Sequence, residues 1–159
     1  MTERDGRTVT LGDLRGKVWL ANFVFTRCSG PCPELSLRMH SVQRGVEKLG
    51  ADVMLVTFSL DPEYDTPAVL EAYAKRFNAE PARWWFLTGG SQPQMHALIR
   101  GGFLQPVVGG GDAPLDHSTY FVLVDRAGSI RAFYPGLEPE SKAAIVRDIE
   151  ALLSEQGPS

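Results

Sequence analysis

The residues best suited to chemistry lie in Phe25-Thr26-Arg27-Cys28-Ser29-Gly30-Pro31-Cys32-Pro33, which holds the only two cysteines of the chain, four positions apart. An apolar run over 18–25 leads into this stretch and a helical pattern over 34–49 follows it. A helix N-terminus offers unpaired N–H groups and the positive end of the helix dipole, and both favour thiolate over thiol. Two ionisable sulfurs at such a junction are expected to bridge each other or to share one metal ion. Bridging needs Cα atoms only about 4.4–6.8 Å apart, which the C-x-x-x-C spacing permits, although Gly30-Pro31 argues against regular helix across it. A permanent stabilising bridge is disfavoured, because closing so short a loop constrains the unfolded chain little and a core of this size needs no staple.

Those sulfurs need elements to hold them. The run 18–25 and a second apolar run over 53–60 show little alternation, the pattern of strands covered on both faces. After the cysteines, Leu35, Met39, Val42, Val46 and Leu49 recur at helical spacing until Gly50. Thr66-Pro67 reads as the cap and first turn of a second helix with Leu70, Tyr73, Ala74 and Phe77 on one side. A short strand over 84–88 closes at Gly89-Gly90, and Ser91 caps a third helix through Ile99 that Gly101-Gly102 should stop. Residues 8–14 alternate weakly. The stretch 103–116, with Gly109-Gly110-Gly111, has no period and reads as a mobile loop. Runs over 119–124 and 129–134 flank Asp125-Arg126-Ala127-Gly128 as a hairpin, and a last helix over 138–153 buries Ala144, Ile145, Ile149, Leu152 and Leu153. This order predicts an α/β fold of the thioredoxin-like type, a central mixed sheet flanked by helices, with an inserted helical segment and a Gly-rich loop before His117. The 159 residues, 43% apolar and 22% charged, fit one domain over 1–159. A net charge of −3 speaks against nucleic acid as a partner, and no apolar run approaches the length of about 18 that a membrane span requires.

Two thiolates are an incomplete site for most metals, so a third ligand is needed. His40 and His96 fall inside predicted helices, away from the strand ends, and read as surface or half-buried residues. His117, in Asp116-His117-Ser118, sits just ahead of the strand over 119–124, whose entry faces the cysteine loop in a thioredoxin plan and usually carries a cis-proline. Here no proline immediately precedes that strand. Packing or capping is the plainer role for His117; metal ligation is the preferred one, because imidazole is a common metal ligand and this loop can move it. Cys28, Cys32 and His117 would suit Cu(I), would take Cu(II) with an added oxygen, and would also suit zinc with a fourth ligand. Because thiolate and neutral imidazole are the binding forms, metal affinity should fall on acidification.

Four spaced stretches resemble the Sco/SenC proteins: Phe25-Thr26-Arg27-Cys28-x-x-x-Cys32-Pro33, Ser59-Leu60-Asp61-Pro62-Glu63-Tyr64-Asp65-Thr66-Pro67, Trp85-Phe86-Leu87-Thr88-Gly89 and Asp116-His117-Ser118. The resemblance runs through nearly the whole chain. It implies a thioredoxin-like fold facing an extracytoplasmic, periplasmic space, usually tethered by an N-terminal membrane anchor that this sequence does not carry. It also implies copper, Cu(I) or Cu(II), bound by Cys28, Cys32 and His117, in a monomeric metallochaperone. Its partners would be the copper-bearing subunit of cytochrome c oxidase and other copper chaperones, and it would deliver copper or keep the recipient thiols reduced. Asp61 matches an acidic position near the metal, as an oxygen donor or as a group that orients the site; an Asx turn with Pro62 is its other reading. Ser29-Gly30-Pro31 departs from relatives that carry an acidic or bulkier residue there, which bears on partner and redox potential more than on the metal.

The rival reading is a metal-independent thiol–disulfide oxidoreductase that uses the redox pair Cys28 and Cys32 on partner cysteines. A peroxide-reducing enzyme ranks lower, since the Pro-x-x-x-Thr-x-x-Cys pattern is absent: Phe25 and Ala21 occupy the Thr and Pro positions before Cys28.

Overall fold

A computed structural model describes residues 1–110 and 113–155. The chain begins with a two-residue edge strand, β1 (Thr2–Glu3), and then a 3-10 turn over Leu11–Leu14. The weak alternation at 8–14 therefore becomes a single bridge from Thr8 to Thr2 and a turn, and no full strand forms there. The two apolar runs form the centre. All seven residues of β2 (Val18–Val24) and all seven of β3 (Val53–Ser59) are buried, and the two strands pair in parallel from Val18 opposite Val53 to Val24 opposite Ser59.

Between them runs α1 (Cys32–Gly45), followed by a 3-10 turn over Glu47–Leu49. The helix thus starts two residues earlier than its apolar spacing indicated, because Pro31 already has helical dihedrals and its carbonyl accepts the Leu35 N–H. Pro33 fits the first turn, where a missing N–H leaves no bond unmade. Next come α2 (Pro67–Arg76), capped by the Thr66 hydroxyl, and β4 (Trp84–Thr88), parallel to β3. The helix α3 (Gln92–Gly102) carries a capping box at Ser91 and continues through Gly101-Gly102, so those glycines do not end it.

The stretch read as a loop is a second, two-stranded sheet. β5 (Val107–Gly110) pairs antiparallel with β6 (Ala113–His117), with Val107 opposite His117 and a register shift between Val108 and Gly110. Gly109 and Gly110 both have positive φ there, which hides the strand from any test of alternation. Gly111 lies outside the described residues. The hairpin β7 (Tyr120–Val124) and β8 (Ile130–Pro135) and the helix α4 (Ser141–Ser154) complete the chain.

The main sheet is ordered β1-β4-β3-β2-β7-β8, with β4, β3 and β2 parallel and the outer strands antiparallel to their neighbours. Alternate residues feed two apolar layers. Leu20, Val24, Leu55, Trp84 and Phe86 pack under α1, α2 and α4, while Ala21, Phe23, Val56, Phe58 and Leu87 face α3 and the N-terminal segment. Within the sheet, Trp84 Nε1 donates to Thr57 Oγ1 (2.8 Å), which donates to Asn22 Oδ1 (2.6 Å), so these buried polar groups tie three strands together.

Candidate metal centre

Cys28 lies in the turn after β2, where its N–H bonds the Phe25 carbonyl (3.1 Å); it is half-buried. Cys32, the first residue of α1, is fully buried. His117 ends β6. The two sulfurs and one imidazole nitrogen lie within 4.8 Å of one another, and both cysteines are free thiols. The structure therefore brings His117 to the cysteine pair from 85 positions beyond Cys32.

The imidazole is oriented. Its Nδ1 is 2.8 Å from the Ser118 carbonyl and its Nε2 is 3.3 Å from Cys32 Sγ. A carbonyl only accepts, so Nδ1 carries the proton and the Nε2 lone pair faces the sulfurs, the arrangement a metal-binding histidine needs. Phe25 packs edge-on against the ring, with centroids 5.8 Å apart. Burial pushes the imidazole below its ordinary pKa, so it is neutral and ready to ligate.

The cysteine environment corrects the sequence reading in one respect. Cys32 occupies a helix N-terminus, yet its pKa is raised, first by burial and then by a hydrogen bond with Cys28, while a Phe25 backbone hydrogen bond works the other way. Desolvation outweighs the helix end, so Cys32 is held as a thiol and loses its proton only when a cation or an electrophile replaces it.

Asp61 stands outside the trio. Its carboxylate takes the Arg27 guanidinium, with Nη2 at 2.5 Å and Nε at 3.2 Å, and Arg27 also lies over the Tyr64 ring at 4.1 Å. Its backbone carbonyl accepts the Tyr64 and Asp65 N–H groups at 3.1 and 2.8 Å. His96 is buried with Nε2 at 3.1 Å from the Leu60 carbonyl, and His40 is half-buried on α1; neither joins the site.

The residues that hold the trio in place are not marked by the cysteine and histidine spacing. Asp65 is fully buried and accepts from Thr26 N (3.1 Å), Thr26 Oγ1 (2.5 Å) and Ser59 Oγ (2.7 Å), so it locks the turn leading to Cys28 onto the end of β3. On the other side, the buried Gln105 and Ser118 side chains bond each other, and Ser118 N–H bonds the Pro106 carbonyl (3.0 Å), fixing the residue after His117 to the end of α3. The one available signal for Asp65 was its place in the Ser59 to Pro67 stretch.

The sequence profile of the SCO1/SenC family matches residues 1–154. The chain belongs to the SCO1/SenC family. It is 33% identical over 149 residues to the SCO1 protein homolog of Bacillus subtilis, covering 93% of this chain and 77% of that one. Among Sco structures, that of a SCO1/SenC family lipoprotein from Bacillus anthracis superposes with a TM-score of 0.90 at 32% identity, over 96% of this chain and 91% of the other. BsSco, described as a member of the Sco family of cytochrome c oxidase assembly proteins with a disulfide switch, gives 0.88 at 31% identity, over 98% and 91%. Bradyrhizobium japonicum ScoI with copper bound gives 0.75 at 29% identity, over 93% and 94%. These matches establish the thioredoxin-like Sco fold.

Proposed function

We propose that this protein handles copper as cargo. In this reading Cys28 Sγ, Cys32 Sγ and His117 Nε2 bind the ion, and the protein serves the copper-bearing subunit of cytochrome c oxidase and exchanges copper with other copper chaperones. The observation that carries the proposal is the convergence of two soft sulfurs and one correctly presented imidazole nitrogen within 4.8 Å. Such a set favours Cu(I) in near-trigonal geometry, and Cu(II) when an oxygen completes the site. The copper-bound Sco relative and the oxidase-assembly role given for BsSco support the same reading. The whole chain acts as one such unit, a monomer on the extracytoplasmic side of a membrane; the lipoprotein relative supports that location, and no helix among the described residues is long and apolar enough to cross a bilayer.

The test is the absorption spectrum with Cu(II) and the affinity for Cu(I) in competition with a chelator. Cys28→Ser and Cys32→Ser should each abolish sulfur-to-copper charge transfer, and His117→Ala should weaken Cu(I) binding at least about tenfold, the equivalent of roughly 1.4 kcal/mol. Unchanged Cu(I) affinity in His117→Ala would remove histidine from the ligand set.

The free thiols also support thiol–disulfide exchange with a partner. Cys28, the more accessible sulfur, attacks the partner's disulfide as thiolate, forms a mixed disulfide and releases one partner thiolate. Cys32 gives up its proton and attacks Cys28 Sγ. The partner's second sulfur leaves carrying that proton as a thiol, the Cys28–Cys32 disulfide forms, and two electrons have passed from the cysteine pair to the partner. Cys32→Ser should trap the mixed disulfide; if neither single Cys→Ser variant traps a partner, this reading is rejected.

A further inference from the structure

His117 belongs to two places at once. Besides facing the cysteines, it lines an open groove of about 520 Å³ with Leu104, Gln105, Tyr120 and Phe133, and none of the described residues lining that groove carries a charge at neutral pH. Leu104, Tyr120 and Phe133 are 68%, 45% and 42% exposed. Single exposed apolar side chains are ordinary, whereas several sharing one groove mark a contact surface.

Leu104 is the informative residue. It follows α3 with φ +57°, and the Gln105 N–H behind it turns back to the Ile99 carbonyl (3.2 Å). Glycine is the usual occupant of that left-handed position after a helix, since a bulky side chain is strained there. Gly101 and Gly102 lie within the helix instead, and leucine takes the strained place. The chain bears both an unfavourable backbone and an exposed apolar side chain at this point. Its neighbours Phe103 and Gln105 are buried and close the core without it.

We infer that this groove is the docking face for the proposed recipient, the copper-bearing subunit of cytochrome c oxidase, which seats an uncharged, apolar rim around its own metal ligands against Leu104, Tyr120 and Phe133. The inference rests on the proposed function. Exchange of an ion or of a disulfide requires the partner's ligand atoms within bonding distance of Cys28 or His117, and a protein lying in a groove walled by His117 meets that requirement. Three side chains make a contact at the small end of protein interfaces, as a complex that must dissociate after each transfer requires.

The test compares Leu104→Asn, Leu104→Met and wild type, all reduced and metal-free. Calorimetry measures the Kd for the soluble copper-binding domain of the oxidase subunit. Asparagine tolerates the left-handed backbone, so Leu104→Asn should melt no lower than wild type yet bind about tenfold more weakly, as loss of a central apolar anchor does. Leu104→Met keeps an apolar side chain and should stay within about twofold of wild type. Phe133→Ser, on a different element, should repeat the loss. Equal affinities across the series, or no complex with wild type, would overturn the docking face. Cu(I) loading of the same samples reads the proposed function separately: normal loading with equal affinities rejects the groove alone, and absent loading with a complex that Leu104→Asn weakens rejects copper binding alone.

Discussion

At the scale of single residues, Cys32 and Asp65 show burial prevailing over favourable local partners. Cys32 has a helix N-terminus around its sulfur and is still held as a thiol. Asp65 accepts three hydrogen bonds, each of which favours the carboxylate, yet its pKa is raised because desolvation outweighs them. The sign follows from linkage. A carboxyl whose folded pKa lies above its unfolded value of about 3.9 contributes stability below that value and loses it as pH rises through the folded pKa. Melting temperatures of wild type and Asp65→Asn measured between about pH 4 and 8 should therefore diverge, the variant gaining on wild type as pH rises. A gap that moves the other way would show that the hydrogen bonds from Thr26 and Ser59 govern this carboxylate.

At the scale of elements, the site depends on how α1, α3 and the β5–β6 hairpin are docked. The hairpin delivers His117, and the positive φ of Gly110 admits glycine where a Cβ would collide with the Gln92 side chain. The helix α4 is fastened to β8 by Tyr134, whose hydroxyl donates to Asp148 Oδ2 at 2.7 Å. That bond holds the Asp148 carboxyl below its ordinary pKa, while burial first and Asp148 second push the Tyr134 hydroxyl up. A lowered carboxyl contributes stability above its unfolded pKa and loses it as pH falls; a raised phenol contributes below its unfolded pKa and loses it as pH rises. The bond should thus count between about pH 4 and pH 10. Tyr134→Phe should cost about 1 kcal/mol at pH 7, below the usual range for a charged acceptor because Asp148 stays open to water, and the deficit should shrink toward pH 2. Denaturant titration at both pH values checks it; an equal cost at each would exclude the charged bond as the cause.

At the scale of the molecule, the site draws its residues from the ends of separate elements, so an ion that binds all three ligands must stabilise the whole fold. At a free Cu(I) concentration of about 100 Kd, linkage adds roughly 2.7 kcal/mol, enough to raise the melting temperature by about 5–10 °C in a protein of this size. Calorimetric scans with and without Cu(I) measure this, and the shift should vanish in Cys28→Ser and Cys32→Ser. A shift that persists in both would place the ion elsewhere.

The two central strands, the helix behind each and the hairpin around Asp125 to Gly128 were legible because one period of burial runs through each of them. The β5–β6 strands were not, since glycines with positive φ erase alternation, and neither was the passage of α3 through Gly101-Gly102. A pair of thiols at the junction of a buried strand and a helix follows from local signals alone, since strand period, proline placement and cysteine spacing are all local. Long-range folding sets the rest: His117, 85 positions from Cys32, presents its Nε2 to the sulfur, the helix end fails to ionise Cys32, and Asp61 goes to Arg27 while Asp65 anchors the turn. Each of those outcomes turns on which groups meet across the fold and how much water they lose on meeting.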